Sequence, residues 1–399
     1  MRVLFLTPRF PWPPDRGDRM TAFALLRVLG RDHEVTLLSH VDGSEAPEAR
    51  QALLELGLEV ETVPLPRLGS WARAWLALLS PEPSQVAYYR SPAMRERAGR
   101  LLSSGGYDVA FVQLFRMAQA VRGIPHPAKV LFLADSIAQN LEGAARFEPG
   151  WKRPVIDWER RRVAAYECAA ARDFREAWLV SGLDRDVLRR RGVTNARQVP
   201  HGVDPALFDV VPERAREPRV MFLGNLSVPH NVDAAVFAAR EVFPELRKLE
   251  PRAELWLAGA EPRREVRALA SSPGVTVTGQ VPDLGPLWAA AHVLLAPLRF
   301  SSGIQNKVLE GMAAGVPVVT TPGVAAGLGV EAASLVRVAA DAPGLARETA
   351  SLLADAGAAA ALAQRARAHA RVHFSWEALG RELERVAREA RESGVPPLT

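Results

Sequence analysis

Short apolar runs alternate with amphipathic stretches along the whole chain. In the first half, residues 3–6, 35–38, 60–63, 109–112, 130–133 and 178–180 are such runs. In the second half, residues 219–223, 254–258, 275–278, 293–296 and 316–320 repeat the pattern. Each run has the length of a strand, and most are nearly continuous in apolar character, as in a parallel strand covered on both faces. Helical spacing fills the intervals, for example at 21–29, 343–353 and 358–373. This alternation predicts βαβ units. Between the halves, Pro205, Pro212 and Pro218 stand among mixed charges, so 204–218 reads as a linker. The expected architecture is α/β: two doubly wound, Rossmann-like domains, 1–203 and 219–375, facing each other across a cleft. A strongly charged helix, 376–392, follows. Ligands in such sheets bind beyond the carboxyl ends of strands, which directs attention to the loops after Leu6, Leu223 and Ala296.

Composition agrees with two domains. The chain has 399 residues, 48% hydrophobic and 24% charged, enough for two cores and ordinary for a soluble enzyme. No run of about eighteen apolar residues exists, so no spanning helix is expected. The start, Met1-Arg-Val-Leu-Phe-Leu-Thr-Pro, is too short for a signal peptide and reads as a buried strand. The single cysteine, Cys168, excludes a disulfide framework and a cysteine zinc site. A cytoplasmic location is the resulting expectation. The net charge of +5 comes from dispersed residues without interleaved aromatics, which argues against nucleic acid as a partner. No histidine pattern of the His-Glu-x-x-His kind occurs, so no metal is expected. Trp71, Trp75 and Trp151 lie near arginines, a pattern that suits peripheral contact with the inner face of a membrane as well as half-buried packing.

The segment Phe300-Ser-Ser-Gly-Ile-Gln-Asn-Lys-Val-Leu-Glu310 carries the most chemistry. Gly303 opens a helix that Gly315 and Pro317 end. A helix N-terminus presents free N–H groups and roughly half a positive charge. Gly303 lets an anion approach the backbone closely. Lys307 adds a full charge in the first turn, where its compact amine suits phosphate: only four of the 50 basic residues are lysines. Glu310 lies three residues on, on the same face, and suits ribose hydroxyls. Together they point to a nucleoside-diphosphate ligand.

With Gly311-Met-Ala-Ala-Gly-Val-Pro-Val-Val319, this segment resembles the donor helix of GT-B-fold glycosyltransferases. The match is to family 4 of the retaining enzymes, in the branch associated with exopolysaccharide synthesis. Other segments resemble that family in order: Arg2-Val-Leu-Phe-Leu-Thr-Pro8 with Pro13-Pro-Asp-Arg-Gly-Asp18, His33-Glu-Val-Thr-Leu-Leu38, Val180-Ser-Gly-Leu-Asp-Arg185, Val199-Pro-His-Gly-Val-Asp204 and Phe222-Leu-Gly-Asn-Leu226. The resemblance implies a donor site of Gly224, Asn225, Val281, Ser302, Gly303, Ile304, Gln305, Asn306 and Glu310. It implies diphosphate stabilisation by Lys307 and Arg299, with Asp135 positioning sugar or acceptor. Arg16, Gly17 and Asp18 would shape the acceptor loop. The final helix would cross back onto the first domain.

The chain departs from the family in three places. Asn225 and His230 stand where an Arg and a Lys are usual. Ser302 replaces a sugar-contacting Glu, and Asp135-Ser136 a His. Asn231 reads as a cap for the following helix or as a ligand contact, Asp135 as a cap for the helix after it or as the sugar or acceptor anchor, and Asp283 as a cap for the helix after the Val281 loop. The implied reaction moves a sugar from a nucleoside-diphosphate donor to a hydroxyl of a glycan or lipid-linked glycan, with no cofactor required. The alternatives are a non-catalytic nucleotide-sugar-binding protein and a nucleotide-sugar epimerase. That no Gly-x-Gly-x-x-Gly follows a strand argues against a dehydrogenase.

Overall fold

A computed structural model describes residues 1–14, 17–145, 150–300 and 303–393. Two compact units emerge: 1–202 together with the C-terminal stretch from Trp376, and Val203–Ser375. In the first unit the strands are β1 (Arg2–Thr7), β2 (Glu34–Val41), β3 (Glu59–Pro64), β4 (Val109–Gln113), β5 (Lys129–Ala134), β6 (Glu176–Leu179) and β7 (Ala196–Gln198). They form one parallel sheet in the order β3-β2-β1-β4-β5-β6-β7. The second unit contains β8 (Arg219–Leu223), β9 (Glu254–Ala258), β10 (Val275–Gly279), β11 (Val293–Ala296), β12 (Val318–Thr320) and β13 (Arg337–Val338). Its parallel sheet runs β10-β9-β8-β11-β12-β13. Both are doubly wound α/β sheets whose order reverses once, beside β1 and beside β8.

The apolar runs become central strands because each side chain meets a covered face. On one face of the first sheet, Phe5 and Phe111 pack at 4.8 Å between ring centroids, and Phe132 and Trp178 lie 5.7 and 6.0 Å from Phe111. On the other, Leu4, Leu6, Val112, Leu131 and Leu133 join a helical layer in one core cluster. The period-2 alternation splits one run between two layers. β7 and β13 were not expected. They are short, polar edge strands, paired to β6 and β12 but without an apolar run to announce them. β12 starts at Val318, not 316. Just before it, the Pro317 carbonyl accepts a hydrogen bond from Leu294 N.

The segment read as a linker is tied to the second unit. Val203 N donates to Phe374 O, and Glu213 N to Ala289 O, both at 2.9 Å. The helix Trp376–Glu392 belongs to the first unit, where Leu379, Leu383 and Val386 are buried. Gly380 approaches Val28 and Leu29 of the helix Gly17–Asp32, and Arg385 reaches Glu176 at 2.8 Å. A Cβ on Gly202 would stand 2.4 Å from Trp376 N, so the chain leaves and re-enters the first unit at one place.

Candidate functional site

In the second unit, β8 and β11 are neighbours whose connections run in opposite directions, the position where doubly wound sheets bind ligands beyond strand ends. Gly224 and Asn225 follow β8. Pro297 to Phe300 follow β11, and the chain then enters the helix Asn306–Ala313 through Gly303, whose φ is +70°. Ser302, with Ser301, lies outside the described residues.

Lys307 sits in the first turn of that helix and is only 7% exposed. Its Nζ donates to Asn231 Oδ1 and lies 4.8 Å from the centre of the Phe222 ring. Asn231 Nδ2 donates to Asn225 O at 3.0 Å, so the amide links the lysine to the loop after β8. Of the two readings of Asn231, capping is thereby removed. The helix begins at Pro229, whose missing N–H is harmless in the first turn. That places Asn231 inside the helix, with its side chain engaged elsewhere. Burial pushes the Lys307 ammonium down to about 7, opposed by Glu310. Burial pushes Glu310 up to about 7, opposed by Lys307, while Asp204 adds to the rise. The Glu310 carboxylate accepts no hydrogen bond among the described residues. A cation and a carboxylate therefore share one dry turn, and both gain from polar ligand groups.

Two glycines missed in the sequence shape this place. A Cβ on Gly259 would lie 1.8 Å from Gly224 O, so the ends of β8 and β9 touch through bare backbone. Gly259 N also donates to Gly279 O, which ties in the loop containing Val281. On the far side, a Cβ on Gly327 would stand 2.7 Å from Gly303 O. A glycine directly after a strand was the only available signal. A Cβ on Gly224 would meet the Asn231 side chain at 2.8 Å.

Arg299 is not free beside the loop. It forms two bonds to the Asp233 carboxylate, one at 3.0 Å, and lies 4.8 Å from the Phe237 ring centre. Its charge is balanced in this structure, because Asp233 lies one turn into the helix that Pro229 starts. His230 packs edge-on to Phe300, and burial, then Lys307, drives its imidazole down to about 4. It is neutral at pH 7 and supplies no phosphate charge. Ile304 and Gln305 are buried and Asn306 is exposed. Asp283 Oδ1 accepts from Gly285 N at 2.8 Å, at the start of the helix Gly285–Ala290.

In the first unit, Asp135 follows β5. Ser136, not Asp135, receives the N–H of Gln139 at the start of the next helix. Capping therefore does not account for Asp135. Burial raises its pKa, opposed by His201. Gly17 starts the helix Gly17–Asp32. Asp18 Oδ2 accepts from Arg9 at 2.8 Å, and Asp18 O from Gln113 Nε2 at 2.8 Å. Arg16 lies outside the described residues. Arg9, Trp71, Tyr88, Tyr89 and Arg116 line a cavity of about 890 Å³ at the carboxyl ends of β1 to β3.

His369 and His373 are four apart on a single helix, and Glu331 approaches both, the three ligand atoms lying within 4.8 Å of one another. The i,i+4 spacing was visible in the sequence; the glutamate, 38 positions before His369, was not.

Two doubly wound parallel units, the second with a cationic helix start at its strand-order switch, define the class by its fold, GT-B. Residues 217–367 match the model of the family described as glycosyl transferases group 1, so the second unit carries that domain and the chain is a transferase enzyme. Among solved structures it is similar to a sucrose-phosphate synthase from Thermosynechococcus elongatus, with 17% identity over 98% of this chain and 100% of that one, TM-score 0.66. HepE from Anabaena in complex with UDP and glucose matches at 16% identity, covering 98% and 99%, TM-score 0.62. WaaG, a glycosyltransferase of lipopolysaccharide biosynthesis, matches at 18%, covering 96% and 99%, TM-score 0.63. No curated protein matches the sequence. Among the described residues, no helix is long and apolar enough to cross a membrane.

Proposed function

We propose that this enzyme transfers a sugar, with retention of anomeric configuration, from a nucleoside-diphosphate donor to a hydroxyl of a glycan or lipid-linked glycan, in polysaccharide biosynthesis. The single observation that carries the reading is the buried Lys307–Glu310 pair at the start of the helix behind Gly303. UDP, the nucleotide held by HepE, is the first donor nucleotide to test.

The second unit then binds the donor. Lys307 and the helix N-terminus meet the diphosphate, where negative charge grows as the glycosidic bond breaks. Glu310 accepts from the ribose hydroxyls, and the backbone around Val281 faces the base. The bond between the anomeric carbon and the diphosphate oxygen breaks, and its electron pair leaves with the diphosphate. The acceptor oxygen bonds to the same face of that carbon. Its proton passes to a donor phosphate oxygen, so no protein base is needed. Arg299 joins the diphosphate only by exchanging Asp233 for phosphate. Asp135 positions sugar or acceptor.

The first unit then binds the acceptor. Its cavity combines Tyr88, Tyr89 and Trp71, flat faces for sugar rings, with Arg9 and Arg116. Beside it, the helix Arg67–Leu76 exposes Leu68, Trp71, Trp75 and Leu76, which suits peripheral contact with the inner membrane face and a lipid-linked acceptor. One observation favours a second reading, nucleotide-sugar binding without turnover: Arg299 is neutralised by Asp233. Incubation with UDP-sugars and a panel of glycan and glycolipid acceptors separates the two. A product with the donor's configuration by NMR is expected. An inverted linkage refutes the mechanism, and saturable binding with no transfer or donor hydrolysis establishes the second reading.

A further inference from the structure

The last turn and a half of the helix Ala356–His373 carries His369 and His373, one turn apart on one face, with ring centroids 4.4 Å apart. The short helix Val330–Ala333 brings Glu331 to them, and one ligand atom from each of the three lies within 4.8 Å of the other two. The three side chains converge without pairing: none makes a hydrogen bond or salt bridge among the described residues. Phe374 packs edge-on to the His369 ring at 5.4 Å and limits its rotation. Ligand atoms around a tetrahedral zinc ion, at bond lengths of about 2.0–2.2 Å, stand roughly 3.3–3.6 Å apart. Small side-chain rotations therefore bring this set to coordinating distance.

We propose that Glu331, His369 and His373 form a binding site for a divalent transition-metal ion of the zinc class. Two imidazoles and one carboxylate favour zinc and its neighbours over magnesium and calcium, which take oxygen ligands. Glu331 and His373 are exposed, so the remaining coordination position is open to water.

The placement gives the site a structural consequence. Glu331 follows the helix Pro322–Leu328, in which Gly327 packs against the Gly303 carbonyl. His373 ends the long helix three residues before the second unit ends into Trp376. A bound ion bonds these two elements together and steadies the segment behind the Gly303 loop. The site uses none of the residues assigned to the donor, so it stands whether or not that assignment does.

The test uses the untagged full-length chain, zinc chloride in calorimetry and cobalt(II) as a visible-light probe. One zinc equivalent should bind, the thermal midpoint should rise, and cobalt should give the intense absorption of a tetrahedral site. Glu331→Gln should weaken zinc by at least about tenfold. The double variant His369→Ala/His373→Ala should lose the tight equivalent and the midpoint rise, while its far-ultraviolet circular dichroism stays native. A zinc isotherm unchanged in the double variant places the metal on other groups and overturns the proposal. So does a pale, octahedral cobalt spectrum insensitive to Glu331→Gln.

Discussion

Replacing Lys307 by Met removes a charge while keeping the length of the side chain, and it separates binding from folding. The ammonium is buried and, among the described residues, makes one hydrogen bond, to Asn231. Its pKa of about 7 means that burial disfavours the charged form in the free protein. Loss of a hydrogen bond of about 1 kcal/mol is therefore largely offset by relief from burying an ammonium. The thermal midpoint should move by only a few degrees. Binding should change far more. A charge-assisted bond to a diphosphate contributes about 1.5–3 kcal/mol, so Lys307→Met should weaken UDP by roughly 10- to 150-fold. Uridine should lose less than about threefold, because it brings no phosphate to this point. A second signature is protonation. At pH 8 a lysine of pKa about 7 is roughly one-tenth charged, and a diphosphate pulls it to the charged form. Calorimetry in buffers of different ionisation enthalpy should then record uptake of up to about 0.9 proton per UDP in the wild type, and almost none in the variant. Equal UDP affinity in both proteins, or uptake unchanged by the substitution, would refute the placement of Lys307 on the diphosphate.

Glu310→Gln should weaken uridine and UDP by the same factor, since both carry the ribose; a loss confined to UDP sinks the ribose assignment. The same two residues give stability a pH signature. Lys307 is lowered from 10.5 to about 7, so the unfolded chain binds more protons between those values and stability rises with pH there. Glu310 is raised from 4.5 to about 7, so the folded chain binds more protons in that interval and stability falls as pH rises through it. Their joint contribution has its minimum near pH 7, with limiting slopes of about 1.4 kcal/mol per pH unit on either side. Urea melts of wild type against Lys307→Met/Glu310→Gln should reveal that trough, and its persistence in the double variant would exclude these groups as its source. Gly259→Ala should cost at least about 2–3 kcal/mol, because the added carbon falls 1.8 Å from Gly224 O; a native midpoint with unchanged UDP affinity contradicts the packing. Asp135→Asn should slow transfer but leave a measurable rate with retained configuration, since it is assigned to positioning; a trapped glycosyl ester on Asp135 by mass spectrometry overturns that role.

Much of the fold was legible because parallel strands covered on both faces are largely apolar, and most of the eleven segments come close to that condition. β7 and β13 escaped because edge strands do not need it. Gly303, Lys307 and Glu310 were legible for a related reason. Their relation is local, within two turns of chain, and helix geometry alone sets it. Asn231 shows where local reasoning stops. Its sequence context suggests a cap, but Pro229 starts the helix two residues earlier and frees the amide to connect Lys307 with Asn225. Arg299 is similar: a loop arginine in the sequence, an ion pair with Asp233 in the fold.

The sequence by itself determined the α/β class, the positions of the central strands and the cationic helix start, since each follows from periodicity or from spacing within a few residues. Only the tertiary structure decided which charges are free and which are balanced, that Gly259 lets β9 touch Gly224, and that Glu331 reaches two histidines some forty positions away. The physical reason is the range of the interactions. Burial of an apolar run and the dipole of a helix are properties of a segment, whereas ion pairing, desolvation and backbone contact depend on neighbours that only the packed chain supplies.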